Sequence, residues 1–298
     1  MIENLSKKDL LEAGRLKERG PDRVAQSAEL AMLLELSSSP KPGNVDRCHD
    51  FSDIGFRHFL ASAVSAYPVF RKAASGECSI GSLLLEGVRA WQDWNISSNT
   101  HFGSLVLMLP LAIAASRPGD LMDELALVLG KTTADDAIDF CRAFDLAGAR
   151  ISEVDEFSLK DPDFEESLRR SNKTLLDLMI LSKGHDLIAR EWATGYKRAF
   201  CLSLRLDELI GRHGQNDGIV RAYLEALSEE PDSLVRAKFG KEKAQEVSLR
   251  AGSALKDATL DAARKLDSEF IVEDVNPGST ADLIAAALFI SLLRGLKF

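Results

Sequence analysis

Three polar loops in this chain each run into a helix and carry residues that can bind anions. The first is Ser37-Ser38-Ser39-Pro40-Lys41-Pro42-Gly43-Asn44-Val45-Asp46-Arg47, directly after a helix ending near Glu35-Leu36. Its two prolines stiffen the backbone, and Gly43 removes side-chain bulk where a ligand can approach. Lys41, Asn44, Asp46 and Arg47 then sit on a rigid loop suited to phosphates and a metal. The second, Asn99-Thr100-His101-Phe102-Gly103, opens the apolar segment that continues Ser104-Leu105-Val106-Leu107. Helix N-termini offer free N–H groups and a positive dipole end, and His101 there can make a charge-assisted bond to phosphate or assist proton transfer. The third, Asn276-Pro277-Gly278-Ser279-Thr280-Ala281-Asp282-Leu283, places Ser279 as a helix cap and Asp282 beside the dipole or facing a metal. Taken singly, these are a connector, a capping histidine and an N-cap. Three Gly-containing openings in one chain can together surround one anionic ligand.

The elements that must position these loops are helical. Ala25, Leu30, Leu33 and Leu34 mark one apolar stripe and Leu83, Leu84, Val88 and Trp91 another, while strand-like alternation of useful length is absent. Ser6 and Pro21 signal helix starts, and Ser279 with Asp282 three residues later resembles a capping box. Breaks at 37–43, 95–100, 118–120, 212–217 and 276–278 divide the chain into roughly ten helices of ordinary length. The fold expected is all-α, one globular multi-helix domain over residues 1–298. Lys238 to Lys265 reads as one amphipathic helix with a solvated face, and the acidic stretch Glu153 to Glu166, with Pro162, reads as a surface excursion, a hinge or a disordered loop.

Composition narrows the function. The chain has 298 residues, 45% of them hydrophobic, enough for a large core. A formal charge of −9 argues against nucleic acid as a partner, so a polyanionic ligand must meet a local basic site or a metal. Cys48, Cys78, Cys141 and Cys201 are widely spaced, which fits reduced thiols of a cytoplasmic protein rather than a zinc site or a disulfide framework. Residues after Met1 are charged rather than apolar, so no secretory signal is expected. The apolar stretches Gly103 to Ser116 and Leu283 to Leu293 fall short of the roughly 20 residues of a membrane span and read as buried core helices.

The same motifs carry a family resemblance. Pro40-Lys41-Pro42-Gly43-Asn44-Val45-Asp46-Arg47 resembles the PKPGLVDR signature of the triphosphoribosyl-dephospho-CoA synthases. Asn99 to Gly103 resembles their NTHKG segment and Asn276 to Leu283 their SPGGSADL segment, in the family's order. The resemblance implies an all-α enzyme that takes Mg-ATP as donor, passes its triphosphoribosyl group to the hydroxyl of 3'-dephospho-CoA and releases adenine. Two departures bear on the acceptor. Cys48-His49-Asp50-Phe51-Ser52-Asp53 replaces the usual Gly-Ala-His-x-Asp-Met stretch, and Gly184 to Glu191 stands where an Asp-Thr-Asn to Arg-Gly-Gly segment is usual. These resemble a divergent branch, commoner in archaea and some methylotrophic bacteria, whose acceptor need not be dephospho-CoA.

Such chemistry passes through a cation-like ribosyl centre and calls for carboxylates near the sugar. Glu35, Asp46 and Asp53 are the candidates, with Asp46 foremost for base or metal work, and His101 beside them for proton transfer. Asp50 reads as solvated charge. The triphosphate is expected on Lys41, Gly43, Asn44, Arg47, Asn99, Thr100, Gly103, Gly278 and Ser279, with Mg²⁺ held by Asp46 and Asp282. His185, Asp186, Arg190 and Glu191 line the acceptor side or form buried ion pairs between helices. Expected partners are ATP and a nucleotide-like acceptor, with no nucleic acid and no membrane, and the apolar helices can equally face a second copy in a homo-oligomer. The competing functions are an ATP N-glycoside hydrolase on the same fold and a non-catalytic nucleotide-binding protein.

Overall fold

A computed structural model describes residues 20–51, 54–76, 78–96, 98–149 and 164–297. Ser6, Asp53 and nearly all of the acidic stretch 153–166 lie outside these residues. Among the described residues the chain is all helix, with one isolated bridge between Asp46 and His49 in place of any strand.

In chain order the helices are α1 (Pro21–Ser37), α2 (Phe56–Ser75), α3 (Ile80–Gln92), α4 (Phe102–Ala115), α5 (Leu121–Gly130), α6 (Ala134–Leu146), α7 (Phe164–Ser171), α8 (Leu175–Ser182), α9 (Leu187–Thr194), α10 (Lys197–His213), α11 (Gln215–Glu229), α12 (Ser233–Phe239), α13 (Lys241–Ala254), α14 (Asp261–Val272) and α15 (Gly278–Arg294). That makes fifteen described helices where roughly ten were expected from the sequence. The additional breaks have local causes. Thr133 with Asp136 and Thr174 with Asp177 form capping boxes that start α6 and α8, and Asp232 caps α12 through the N–H groups of Leu234 and Val235. The single amphipathic helix expected over 238–265 is interrupted at Gly240, where φ is 89°, and again before Leu260, whose φ is 63°. The apolar stripe continues across both breaks, so periodicity alone joined what the backbone separates.

The two apolar stretches form the centre of the core. α15 packs against α1, α4 and α10, and nearly every residue of α4 and α15 is buried. No helix among the described residues is long and apolar enough to cross a membrane. Pro110 lies inside α4 and cannot donate to the carbonyl four residues back, that of Val106. Trp192 Nε1 donates to that carbonyl at 3.2 Å and the Tyr196 hydroxyl at 3.4 Å, so a buried acceptor left open by proline is closed from α9 and its C-terminal turn.

Two helices hold the loop after α1. From α11, Asn216 exchanges hydrogen bonds with the backbone of Ser39 (Nδ2 to O 2.8 Å, N to Oδ1 3.0 Å), and the Tyr223 hydroxyl donates to the Pro42 carbonyl at 3.0 Å. From α14, Asp267 Oδ1 accepts the Gly43 N–H at 3.0 Å. Tyr223→Phe keeps the ring and leaves the Pro42 carbonyl without this donor. Urea unfolding should show a loss of about 1–3 kcal/mol, the usual result of stranding a buried polar group.

Candidate active site

The loop places its charges differently from the sequence expectation. Lys41 is fully buried, and its ammonium donates to Glu35 Oε1, to Asn44 Oδ1 at 3.0 Å and to the Val45 carbonyl at 3.3 Å. An ammonium has three N–H donors, and all three are used inside the protein, so Lys41 braces the loop rather than offering itself to phosphate. Asp46 is also fully buried, not set on a solvated polar loop. Its carboxylate accepts the Cys48 N–H at 2.7 Å and the Lys41 N–H at 3.2 Å. Gly43 is required by protein and not by a ligand: φ is +77°, and a Cβ there would lie 2.3 Å from the Val275 carbonyl oxygen. Arg47 is exposed and donates to Asn216 Oδ1 at 3.2 Å.

Beside this loop opens a cleft of about 390 Å³ whose walls include residues of all three motifs. Glu35, Asn44, Asn99, Thr100, His101, Gly278 and Asp282 face it, together with Phe51, Phe59, Leu234, Lys238, Asp274 and Asn276. Asn44 Nδ2 donates to Asn276 Oδ1 at 3.1 Å, joining the first motif to the third. The second and third are joined by Asp282, whose Oδ1 accepts from the Ser104 hydroxyl at 2.5 Å. Gly103 permits that contact, because a Cβ there would fall 2.1 Å from Asp282 Oδ2. A smaller apolar pocket shares Asn99, Leu234 and Asp282 with the cleft and is otherwise lined by Phe102, Gly103, Phe140, Phe144, Met179, Ser279 and neighbours.

Burial controls the electrostatics. Desolvation raises the Glu35 carboxyl, partly countered by Lys41. Desolvation likewise pushes Asp282 up to about 8, with the charges of Glu35 and Asp232 adding to the rise. His101 is lowered to about 3, first by desolvation and then by Lys41, so its ring is neutral at ordinary pH. Its Nδ1 lies 2.5 Å from the Ser62 hydroxyl, Phe59 packs edge-on against the ring at 4.9 Å, and the buried Nε2 has no hydrogen-bond partner. A charge-assisted bond from His101 is therefore replaced by a neutral one. Ser279 is not the cap of α15 either: Pro277 holds the N-cap position, and the Ser279 hydroxyl accepts from Ser233 at 2.8 Å.

The structure thus gathers Glu35, Asn44, Asn99, Thr100, His101, Gly278 and Asp282 at one cleft, and places Gly103 and Ser279 on the adjoining pocket. Lys41, Gly43 and Asp46 are absent from both linings, with Asp46 fully buried under the loop and Asp282 facing the cleft. Arg190 pairs with Glu230 and donates to the Lys183 carbonyl at 3.1 Å, on a separate depression with His185 and Arg236. Glu191 is buried and accepts the Ala199 N–H at 2.8 Å, while Asp186 caps α9 through the Ala189 N–H and borders the apolar pocket. Two residues at or beside the cleft had no sequence signal. Lys238, the cation among the lining residues apart from any charge on His101, sits at the end of an ordinary amphipathic stretch, and its ammonium pairs with the Asp274 carboxylate at 2.5 Å and donates to the Asp274 carbonyl at 2.9 Å. Asp232 was equally silent, yet its carboxylate accepts the Thr280 N–H at 2.7 Å and the Thr280 hydroxyl at 2.8 Å, tying α12 to α15.

These values set a pH dependence. Asp282 has a folded value near 8 against 3.8 for an ordinary side chain, so the folded state holds the proton more tightly and its ionisation opposes folding. Stability from this group is full below about pH 4 and falls as pH rises toward 8. His101 acts in the opposite sense and only below its ordinary value of 6.5. Glu191, raised to about 7, and Asp267, raised to about 6, shift the same way as Asp282 but complete their titration earlier. Thermal melts of Asp282→Asn should gain on wild type between pH 7 and 8, and parallel curves over that range would reject an abnormally basic Asp282. Mg-ATP affinity of His101→Ala should fall by about two- to tenfold, the weight of a neutral hydrogen bond, with no ionisation of His101 visible between pH 6 and 8 in calorimetric titration.

Comparison with known proteins agrees with this geometry. The sequence model of the ATP:dephospho-CoA triphosphoribosyl transferase family matches residues 21–297. A protein of Streptococcus equi subsp. equi described as a probable 2-(5''-triphosphoribosyl)-3'-dephosphocoenzyme-A synthase is 28% identical over 302 aligned positions, covering 92% of this chain and 97% of that one. The 2-(5''-triphosphoribosyl)-3'-dephosphocoenzyme-A synthase of Klebsiella pneumoniae is 24% identical, with 93% of each chain covered. A crystal structure from Archaeoglobus fulgidus, described as a candidate triphosphoribosyl-dephospho-CoA synthase, superposes with a TM-score of 0.66 at 28% identity, over 80% of this chain and all of that one. With the family match running almost from the first described helix to the last described residue, the chain belongs to the ATP:dephospho-CoA triphosphoribosyl transferase family.

Proposed function

We infer that this chain breaks the bond between C1' of ATP and adenine and joins C1' to a hydroxyl of dephospho-CoA or a closely related nucleotide, releasing adenine. The observation that carries the reading is the convergence of the three family motifs on one polar cleft. In the reaction the glycosidic electron pair leaves with adenine, which needs a proton, and the acceptor hydroxyl gives one up as the new C–O bond forms. Asp282 faces the cleft and is kept protonated by burial, which suits it to donate to the departing base. Glu35 faces the same space beside Lys41 and suits the opposite role, taking the acceptor's proton or steadying positive charge at C1'. The apolar pocket behind Asp282, with Phe102, Phe140 and Phe144, offers a flat seat for the adenine ring.

The triphosphate requires countercharge within a chain of net charge −9. Lys238 supplies part of it at the cleft wall, and Asn99, Thr100 and Asn276 supply polar contacts. Mg²⁺ fits the Glu35 side of the same wall, because Glu35 is a carboxylate that burial makes costly to ionise, and a cation accompanying the phosphates relieves that cost while Asp282 keeps its proton. Such an ion would supply charge neutralisation of the triphosphate. Free thiols, two of them exposed at Cys48 and Cys78, support a reducing, cytoplasmic setting.

Incubation with Mg-ATP and dephospho-CoA should release adenine in step with a new triphosphoribosylated product, both followed by chromatography. Lys238→Ala should raise KM for ATP by about ten- to a hundredfold, as loss of a charge-assisted contact does, with a smaller effect on the acceptor. Adenine without a nucleotide product would show hydrolysis instead, and no adenine with any nucleotide acceptor would show a binding protein.

A further inference from the structure

Outside the cleft lining, two buried carboxylates, one from the loop after α1 and one from α14, share a single imidazole. Asp267 on α14 is 1% exposed; its Oδ1 accepts the Gly43 N–H, and its Oδ2 faces His49. Asp46 approaches from the loop, with each of its oxygens already oriented by a backbone N–H, from Cys48 and from Lys41. His49 completes the group. Its Nδ1 lies 2.5 Å from Asp267 Oδ2, so one imidazole serves the two buried carboxylates and a bound cation would take the place of the proton shared between them. One donor atom from each of these three side chains lies within 4.8 Å of the others.

We propose that Asp46, His49 and Asp267 bind a divalent transition-metal ion that clasps the loop after α1 to α14. Two carboxylates held in place by backbone N–H groups, each keeping a free lone pair, have the supporting contacts usual around metal ligands. An imidazole in the set favours Mn²⁺, Fe²⁺ or Zn²⁺ over Mg²⁺, which prefers oxygen alone. At bonds of about 2.0–2.2 Å two ligand atoms of one ion lie roughly 3 Å or more apart, so His49 Nδ1 and Asp267 Oδ2 need to part by under about 1 Å while Asp46 stays within reach. Burial and the nearby Asp46 raise the Asp267 carboxyl to about 6, while the Gly43 N–H and His49 oppose the rise, and a cation would remove the remaining cost of its charge. The His49 side chain is 36% exposed and gives the ion a path from solvent. None of these residues lines the catalytic cleft, so the proposal stands independently of the reaction assigned to it.

The test uses the full-length protein, stripped with a chelator and titrated with Mn²⁺ and separately with Zn²⁺ in the absence of nucleotide. Elemental analysis after dialysis should find about one ion per chain, and the thermal midpoint should rise on loading. Asp267→Asn keeps an acceptor for the Gly43 N–H, and His49→Ala changes a half-exposed side chain. Each should weaken binding at least about tenfold and abolish the thermal shift, while circular dichroism stays helical and Asp282→Asn still loads normally. Should Asp267→Asn fail to fold, His49→Ala decides the matter. Wild-type protein that retains neither metal, variants that load as well as wild type, or loss of the ion in Asp282→Asn alone would each overturn the site.

Discussion

The buried pair of Lys41 with Glu35 constrains everything around it. Taking an ammonium and a carboxylate out of water costs several kcal/mol for each ion, so the pair persists only where the remaining donors are satisfied as well. Asn44 and the Val45 carbonyl satisfy them, which obliges the chain to fold back tightly between residues 41 and 45. That turn brings Gly43 against the end of α14, fixes Asp46 beneath the loop and turns Asn44 toward Asn276. A ligand meeting Glu35 and Asn44 therefore meets groups already held in position. Removing Lys41 would leave the Glu35 carboxylate buried and uncompensated, which is far more disruptive than losing one surface charge.

A second constraint follows from crowding acids in a dry place. The charges of Glu35 and Asp232, both buried, raise the carboxyl of the half-buried Asp282. Asp232 is the best satisfied, with both oxygens engaged by the starts of α12 and α15. Asp282 has the Ser104 donor but also faces the cleft, and its carboxyl is the one pushed to about 8. One carboxyl holding its proton and another beside a lysine are the two protonation states that transfer from a departing base to an acceptor hydroxyl requires. The helix openings contribute less free dipole than their sequence suggests, since side chains of other helices already occupy them. Phosphate recognition consequently shifts toward Lys238 and an accompanying cation.

Much of this was legible before any coordinates. The apolar runs at 103–116 and 283–293 could only be core helices, because nothing so free of charge can face water over three turns. The three Gly-containing motifs announced a shared site because their residue types and order are local properties, written at the positions where the chain turns. Short caps such as Thr133 and Asp232 carry weaker signals, and the apolar stripe that runs through Gly240 conceals a break that one positive φ creates.

What the sequence by itself determined is the helical class, the family and the identity of the loops that meet at the cleft. Only the tertiary structure decided which charges face the ligand and which brace the protein. Lys41 and Asp46 turn inward, Arg47 and Arg190 lie elsewhere, and Lys238 and Asp267 arrive from segments with nothing unusual in them. The physical reason is that a side chain's chemistry depends on its desolvation and on partners remote in the chain. Lys41 is committed by Glu35, His101 is neutral because it is dry, and Asp267 meets both the Gly43 N–H and His49 because the loop folds back against α14.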